Sequence, residues 1–476
     1  MVFYILGQIA KLEAVLLLLP LAVSLIYREK CALDFLIVAA VSFAVGFLLT
    51  LICKSRNRMI FAKEGFVIVA LAWIIMSLIG AVPFTLSGEI PSYVDAVFET
   101  VSGFTTTGAS ILTDVESLSH GMLFWRSFTH WIGGMGVLVF IMAIIPSLCD
   151  RSIHIMRAEM PGPIVGKLVP KVKQTAKILY LIYIGMTFVE VILLLFGGMS
   201  LFDSVLHAFG TAGTGGFGIK ADSVAGYNGY LQWVITIFML LFGVNFNLYY
   251  LLLIKRFKSV FSSSELWCYL AMVALSVTAI SFNIYPICGN LSETVRLSAF
   301  QVSSVITTTG YSTADFNLWP SLSKGILFIL MFTGACAGST AGGLKISRVM
   351  MLFKLIKREL HRMLHPRSVS AVKSEGKTVD DTTLNGVSTY FALYMITIVA
   401  IFLILCLEPF GFETNFSAAV SCFNNIGPGF GAVGPMGSFA GYSDVSKVVL
   451  SFAMLLGRLE IYPLLLMAFP STWMKK

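Results

Sequence analysis

Residues 93–110 read YVDAVFETVSGFTTTGAS, an amphipathic segment that runs at once into Thr106-Thr107-Gly108. A bilayer core takes about 20 helical residues to cross, so this segment is too short to span it. A second Thr-Thr-Thr-Gly occupies 307–310, and the two continue as TTTGAS and TTTGYS. Two weaker relatives complete a set aligned on Gly108, Gly216, Gly310 and Gly427, recurring roughly every hundred residues as an internal repeat does. Neighbouring positions keep the register. Four before the glycine stand the apolar Phe104, Ala212, Ile306 and Phe423, and two before it Thr106, Thr214, Thr308 and Asn425, all able to hydrogen bond. Six before it, Ser102, Gly210, Ser304 and Ser421 are all small. Asp95 and Asp203 both precede it by thirteen, where an acid suits the first turn of a helix.

With 57% apolar and 12% charged residues in 476, the chain reads as an integral membrane protein. Lipid offers no hydrogen-bond partners, and long apolar runs without alternation select helices over a barrel. The eight cysteines show no C-x-x-C spacing, so they signal neither zinc nor a redox motif. The N-terminus lacks a charged n-region and reads as an uncleaved first span.

Hydropathy places ten crossing segments at 12–27, 33–53, 60–83, 122–145, 177–197, 230–254, 266–286, 322–343, 387–407 and 446–469. After the first two, the spans fall into four pairs, each enclosing one Gly-ended segment. The expected fold is therefore an all-α membrane protein: two extra N-terminal helices (1–58), then four pseudo-fourfold units at 59–150, 151–262, 263–378 and 379–476, each a span, pore helix, filter and span. The connections at 54–63, 151–177, 255–258 and 345–377 hold four, six, three and nine Lys or Arg and are assigned to the cytoplasm, as are both termini. The stretch 84–121 has five acids and no Lys or Arg, so the Gly-ended segments enter from outside. The net charge of +8 follows from this bias and gives no case for nucleic-acid binding.

A half-helix that turns back inside the membrane satisfies its freed backbone groups within protein or along a water-filled path. Four converging half-helices enclose a pore, each directing the negative end of its dipole at a cation. The following carbonyls, turned by a glycine at positive φ, replace an ion's hydration shell.

These residues resemble the Trk/Ktr/HKT superfamily of potassium transporters, specifically its TrkH-type membrane subunit. The resemblance is carried by TTTGAS after Phe104, WRSFTHWIGGMGVLVF from Trp125, GTGGFG from Gly213, TTTGYS from Thr307, GACAGSTAGGLKISR from Gly334, NNIGPGFGAVGP from Asn424 and LGRLE from Leu456. It implies one subunit with four potassium-channel-like repeats around a single pore in a bacterial inner membrane. The implied potassium-binding filter is Thr106, Thr107 and Gly108; Thr214, Gly215 and Gly216; Thr308, Thr309 and Gly310; Asn425, Ile426 and Gly427. The glycine at 108, where sodium-preferring relatives place serine, favours potassium. The resemblance also implies a homodimer and a cytosolic nucleotide-binding gating ring of the TrkA type, for which the basic loop 345–377 is the expected docking site. Potassium is the transported ion, and no cofactor is expected in this chain.

The eighth span is interrupted by GACAGSTAGG at 334–343, with close helix packing through small residues as the plainer reading. By resemblance it is an intramembrane gate, with Gly334, Gly338, Ser339, Thr340, Gly342, Gly343 and Lys345. Beyond it, Ile346, Val349, Met350, Phe353 and Ile356 form an apolar stripe at the inner membrane face. Arg458, within the last span, must face the pore or a partner; by resemblance it lies under the filter as a barrier to cations. It does not suit Glu460, two positions on, because such residues point to different faces. Arg126 and His130 are expected to anchor pore helices, and Glu190 to bond within the bundle. His361 and His365 lack a third ligand and read as a solvated face. The G-x-G-x-x-G runs at 213–218 and 429–434 lack a preceding strand and carry no nucleotide reading. The rivals are a secondary transporter coupled to sodium or protons, which calls for two inverted halves, and a membrane-embedded enzyme, which calls for clustered His, Asp or Glu.

Overall fold

A computed structural model describes residues 2–53, 62–136, 172–368, 371–374 and 377–473 of the chain. Apart from a ribbon pairing Lys373–Ser374 with Lys377–Thr378, its regular structure is helical. Among the described residues six helices are long and apolar enough to cross a membrane: Val2–Ile26, Ala32–Ile52, Lys63–Leu86, Lys177–Phe196, Ser264–Cys288 and Asp381–Leu405. Phe43, Phe47, Phe188 and Phe282 are among the large apolar side chains these helices turn outward, as expected where lipid is the solvent.

The first span begins at Val2, not at 12. Lys11 suggests the later start, but its Nζ donates to Thr50 Oγ1 at 3.3 Å and sits inside the helix pair. The helix is interrupted only at Leu17, between Val2–Leu16 and Leu18–Ile26, where Pro20 cannot donate to the turn before it. Gly7 and Gly46 let the backbones of the two N-terminal spans touch: a Cβ on Gly46 would lie 2.6 Å from the Gly7 carbonyl oxygen.

The four half-helices are Tyr93–Phe104, Leu201–Gly213, Leu291–Ile306 and Phe412–Asn424. At 12, 13, 16 and 13 residues and 1.5 Å of rise per residue, each falls short of a roughly 30 Å hydrocarbon core. Each carries an acid in its first turn: Asp95, Asp203, Glu293 and Glu413. Ser92, Ser200 and Asn290 cap the first three by accepting backbone N–H groups.

In the second, third and fourth units the helices that follow the half-helices are not the continuous spans that hydropathy gives. The segment 230–254 is two helices, Gly229–Phe242 and Phe246–Leu253, bent by 91°. The segment 446–469 is likewise Asp444–Arg458 and Tyr462–Ala468, bent by 118°, with Glu460 and Ile461 both at positive φ. In the third unit the helix Ser321–Phe332 stops, and the chain is not helical again until Ile346. The helix His120–Gly134 begins the remaining expected span, whose continuation to 145 lies outside the described residues. Hydropathy measures apolar length and is blind to a change of backbone direction inside an apolar run.

Candidate functional site: a ring of four turns above an intramembrane loop

Each half-helix ends in the same pair of backbone hydrogen bonds. The N–H groups of Thr107, Gly215, Thr309 and Ile426 reach back to the carbonyls of Ser102, Gly210, Ser304 and Ser421 at 2.9, 2.8, 2.8 and 3.0 Å. The preceding N–H groups, on Thr106, Thr214, Thr308 and Asn425, bond the carbonyls of Gly103, Thr211, Val305 and Cys422. This is a Schellman closure, which requires its first non-helical residue to be left-handed and normally takes glycine there. Here Thr106, Thr214, Thr308 and Asn425 hold φ of 56, 54, 53 and 57°. For a β-branched residue that conformation costs about 1–2 kcal/mol. Such strain points to a functional constraint.

Two residues on, Gly108, Gly216, Gly310 and Gly427 are also at positive φ, at 79, 71, 89 and 100°, while the residue between stays at negative φ. This alternation of hand turns successive carbonyls toward one side of the thread. The four threads then close on one another. A Cβ on Gly108 would lie 2.0 Å from the Gly215 carbonyl oxygen, one on Gly216 1.9 Å from that of Thr309, one on Gly310 2.2 Å from that of Ile426, and one on Gly427 2.7 Å from that of Thr107. The sequence of contacts runs from the first unit through the second, third and fourth back to the first. All four glycines line one vestibule of about 260 Å³, so the threads share one sense rather than forming two inverted halves.

Side chains outside the threads fix them. Arg126 Nε donates to Glu99 at 2.6 Å, both buried, and its Nη1 donates to the Gly218 carbonyl at 2.8 Å. Its guanidinium lies 3.5 Å from the centroid of Phe217. Glu99 also accepts from Ser110 Oγ and the Ile111 N–H. One ion pair thus ties the first and second threads. His130 Nδ1 lies 2.7 Å from the Gly103 carbonyl, and its ring fills the space a Cβ on Gly215 would need. Arg126 and His130 are the anchors the sequence suggested. Glu99, counted there only as one acid among five, is the missing partner of Arg126. Glu190 is fully buried, but its carboxyl oxygens have no hydrogen-bond partner among the described residues, because the Thr211 hydroxyl facing it bonds the His207 carbonyl at 2.9 Å.

The loop 334–343 lies beneath the ring. Its neck is closed by the Gly334 N–H donating to the Leu344 carbonyl at 2.8 Å. Near its C-terminal end the Gly342 N–H donates to Thr308 Oγ1 at 2.7 Å, and a Cβ on Gly342 would lie 2.5 Å from the Asn424 carbonyl oxygen. The broken helix of the second unit holds the loop's side: Cys336 N–H bonds the Gly243 carbonyl, Phe246 N–H the Gly338 carbonyl, and Thr340 Oγ1 the Phe242 carbonyl. Ser339 Oγ donates to the Cys336 carbonyl at 2.7 Å, within the loop. Glu265 accepts from the N–H groups of Ala337 at 2.8 Å and Ser347 at 3.1 Å. Its only signal in the sequence is a carboxylate at the start of an apolar span.

Arg458 joins the loop to the rest of the bundle. Its Nη1 donates to the Thr340 carbonyl at 2.8 Å, and its Nη2 to the carbonyls of Gly134 at 2.8 Å and Gly133 at 2.5 Å. Lys345 Nζ donates to the carbonyls of Ala341 and Gly342. Glu460 pairs with Arg348, Nη1 to Oε1 at 2.9 Å, and not with Arg458. Arg458, Lys345, Gly338, Ser339, Gly342 and Gly343 border a cavity of about 50 Å³ on the loop side of the ring.

The family of cation transport proteins called TrkH matches residues 33–475. The chain belongs to the TrkH family. It is 34% identical to the Trk system potassium uptake protein TrkG of Escherichia coli K12 over 475 residues, covering 98% of this chain and 97% of that one. It is 35% identical to the TrkH protein of Salmonella typhimurium over 479 residues, covering 98% of each. The fold matches the crystal structure of the potassium transporter TrkH from Vibrio parahaemolyticus with a TM-score of 0.89 at 29% identity, over 99% of each chain. Membership in a family of cation transport proteins makes this a membrane transport protein and not an enzyme.

Proposed function

We propose that this TrkH-family chain carries potassium into the cell through a single channel-like pore on the axis of the four threads. The observation that carries the reading is the cyclic approach of Gly108, Gly216, Gly310 and Gly427 to the carbonyls of Gly215, Thr309, Ile426 and Thr107. Carbonyls presented to one axis at the negative ends of four helix dipoles replace the hydration shell of a cation. The ring supplies neutral oxygens only, which suits a weakly hydrated monovalent ion rather than calcium or magnesium, both of which take carboxylates. The names of the relatives, potassium uptake proteins, support the same ion. The filter is then Thr106, Thr107, Gly108, Thr214, Gly215, Gly216, Thr308, Thr309, Gly310, Asn425, Ile426 and Gly427, acting through the backbone.

In this proposal the loop 334–343, with Lys345 and Arg458, is the gate. Opening requires the Gly342 N–H to leave Thr308 and Arg458 to release either Thr340 or the Gly133 and Gly134 carbonyls. Two fixed cations beneath the ring repel a third until that happens. The Lys and Arg bias of the loops supports a reading with both termini in the cytoplasm. A homodimer and a cytosolic nucleotide-binding ring docked on the basic segment 345–377 complete the reading.

The test is rubidium uptake into proteoliposomes with no sodium or proton gradient. Flux driven by the rubidium gradient supports a passive pore, and flux that appears only with a sodium or proton gradient replaces it by a coupled transporter. Gly108→Ser relaxes selectivity for potassium over sodium if the ring is the filter, and unchanged selectivity removes that assignment.

A further inference from the structure

The seam between the fourth and first threads differs from the other three. Asn425 Nδ2 donates to Thr107 Oγ1 at 3.0 Å and to the Met454 carbonyl at 2.9 Å. Among the described residues this is the one hydrogen bond that runs directly between two filter threads. At the positions equivalent to Asn425, Thr214 turns its hydroxyl to the Gly213 carbonyl of its own thread at 2.6 Å, and Thr308 holds Gly342 of the loop. Thr106 Oγ1 is buried with no partner among the described residues. The Thr107 hydroxyl is itself shared with Thr105 Oγ1 at 2.8 Å, and Thr105 donates to the Val101 carbonyl at 2.6 Å. A chain of side-chain hydrogen bonds therefore runs from the last second helix, through Asn425, into the first half-helix.

The geometry of this seam explains why the bond falls here. The approach of glycine to carbonyl is tightest at Gly216, where an added Cβ would lie 1.9 Å from the oxygen, and loosest at Gly427, where it would lie 2.7 Å away. The seam with the most room is the one with a side-chain link across it. Asparagine suits the position on two counts: it tolerates the left-handed conformation better than threonine, and its amide has two N–H groups, enough for both Thr107 and Met454. Ile426, next in the thread, has no polar side chain with which to hold that quarter.

We infer that Asn425 is a positioning residue for ion discrimination, whose side chain sets the spacing of the fourth and first filter threads by clamping the Thr107 hydroxyl. The inference rests on the reading of the ring as a potassium filter. The ion meets the Thr107 carbonyl and not the amide of Asn425. Loss of the clamp lets that carbonyl move away from the axis, and the ring then distinguishes potassium from sodium less well.

The experiment compares rubidium and sodium fluxes in proteoliposomes for Asn425→Thr, Thr107→Val, Thr107→Ser and the double variant Asn425→Thr with Thr107→Val. Protein yield and thermal melting are recorded to confirm folding. One buried hydrogen bond corresponds to about a five-fold change, so Asn425→Thr and Thr107→Val each lower the rubidium-to-sodium ratio by about that factor. Thr107→Ser keeps the hydroxyl acceptor and lowers the ratio less than Thr107→Val does. The double variant is no worse than either single one, because both remove the same bond. Unchanged ratios in the two single variants overturn the inference, as does full additivity in the double. Gly108→Ser separates the failures: if it alters the ratio while Asn425→Thr does not, the filter stands and the clamp falls, and if neither alters it, the filter reading falls as well.

Discussion

The ring and the loop beneath it are built on opposite plans. The ring is made four times by one backbone device, the Schellman closure followed by alternating hand, and its parts meet through glycines and carbonyls. The loop 334–343 exists once. It is held mainly by side chains reaching its backbone: Glu265 at Ala337, Arg458 and Lys345 at its carbonyls, Thr308 at Gly342. Apart from the Asn425–Thr107 link, the ring is closed by backbone groups with no side chain to let go, so it suits a fixed selective site. A loop held by a few charged or hydroxyl groups can exchange partners, so it suits a moving one.

The largest effect expected from breaking this contrast is at the ring. Gly216→Ala places a methyl 1.9 Å from the Thr309 carbonyl at a φ of 71°, and strain alone of roughly 1–2 kcal/mol is a factor of about 5–30, to which the overlap with the carbonyl adds. Rubidium-over-sodium selectivity falls at least ten-fold. Gly427→Ala, with 2.7 Å to the nearest carbonyl oxygen, falls less, and the reverse order in paired flux assays would show that the seams do not differ as described.

Next is Arg458→Ala, which among the described residues removes donations to Thr340, Gly134 and Gly133. Hydrogen bonds from a charged group are worth about 1.5–3 kcal/mol each, so basal rubidium flux rises about ten-fold or more while the rubidium-to-sodium ratio stays put. A changed ratio with unchanged basal flux would assign Arg458 to the ring instead.

Smaller is the effect of Thr308→Val, which leaves the buried Gly342 N–H unpaired at a cost of about 1–3 kcal/mol. Hydrogen exchange in the loop speeds up several-fold. Thr106→Val, at the equivalent position but with no partner for its hydroxyl among the described residues, leaves loop exchange unchanged. Equal effects from both variants would dissolve the distinction between ring and loop at this depth.

The smallest concerns the tether of the N-terminal helices. Glu29 accepts from the N–H groups of His120 at 2.8 Å and Gly121 at 3.0 Å. Burial pushes its carboxyl up, but the hydrogen bonds from Gly121 and His120 outweigh that and hold it below the usual 4.5. A lowered folded-state value means the tether stabilises fully above about pH 4.5 and is lost as pH falls through the lowered value. Acid thermal melts of Glu29→Gln and the parent protein should therefore converge, with selectivity untouched in both.

Much of the ring was legible because its cues are local. The shortness of the half-helices, the acid in their first turns and the glycine ending each thread sit within about twenty residues of one another, and the register Gly108, Gly216, Gly310 and Gly427 recurs as the internal repeat requires. The left-handed threonines were not legible, since threonine ordinarily avoids that conformation and nothing beside Thr106, Thr214 or Thr308 announces it. The breaks at 243–245 and 459–461 escaped for a related reason: an apolar run looks the same whether its helix continues or turns by 91 or 118°.

By itself the sequence determined the membrane class, the four-unit plan, the turn residues and the basic bias of the loops, all set by composition and short spacing. Only the tertiary structure decided which groups meet: Glu99 with Arg126, Glu460 with Arg348, Glu265 with the loop, and Asn425 with Thr107 across 318 positions of chain. Lipid leaves buried polar groups no partner except one another, so those that are satisfied find a complement wherever the packed helices bring one, however distant it lies along the chain.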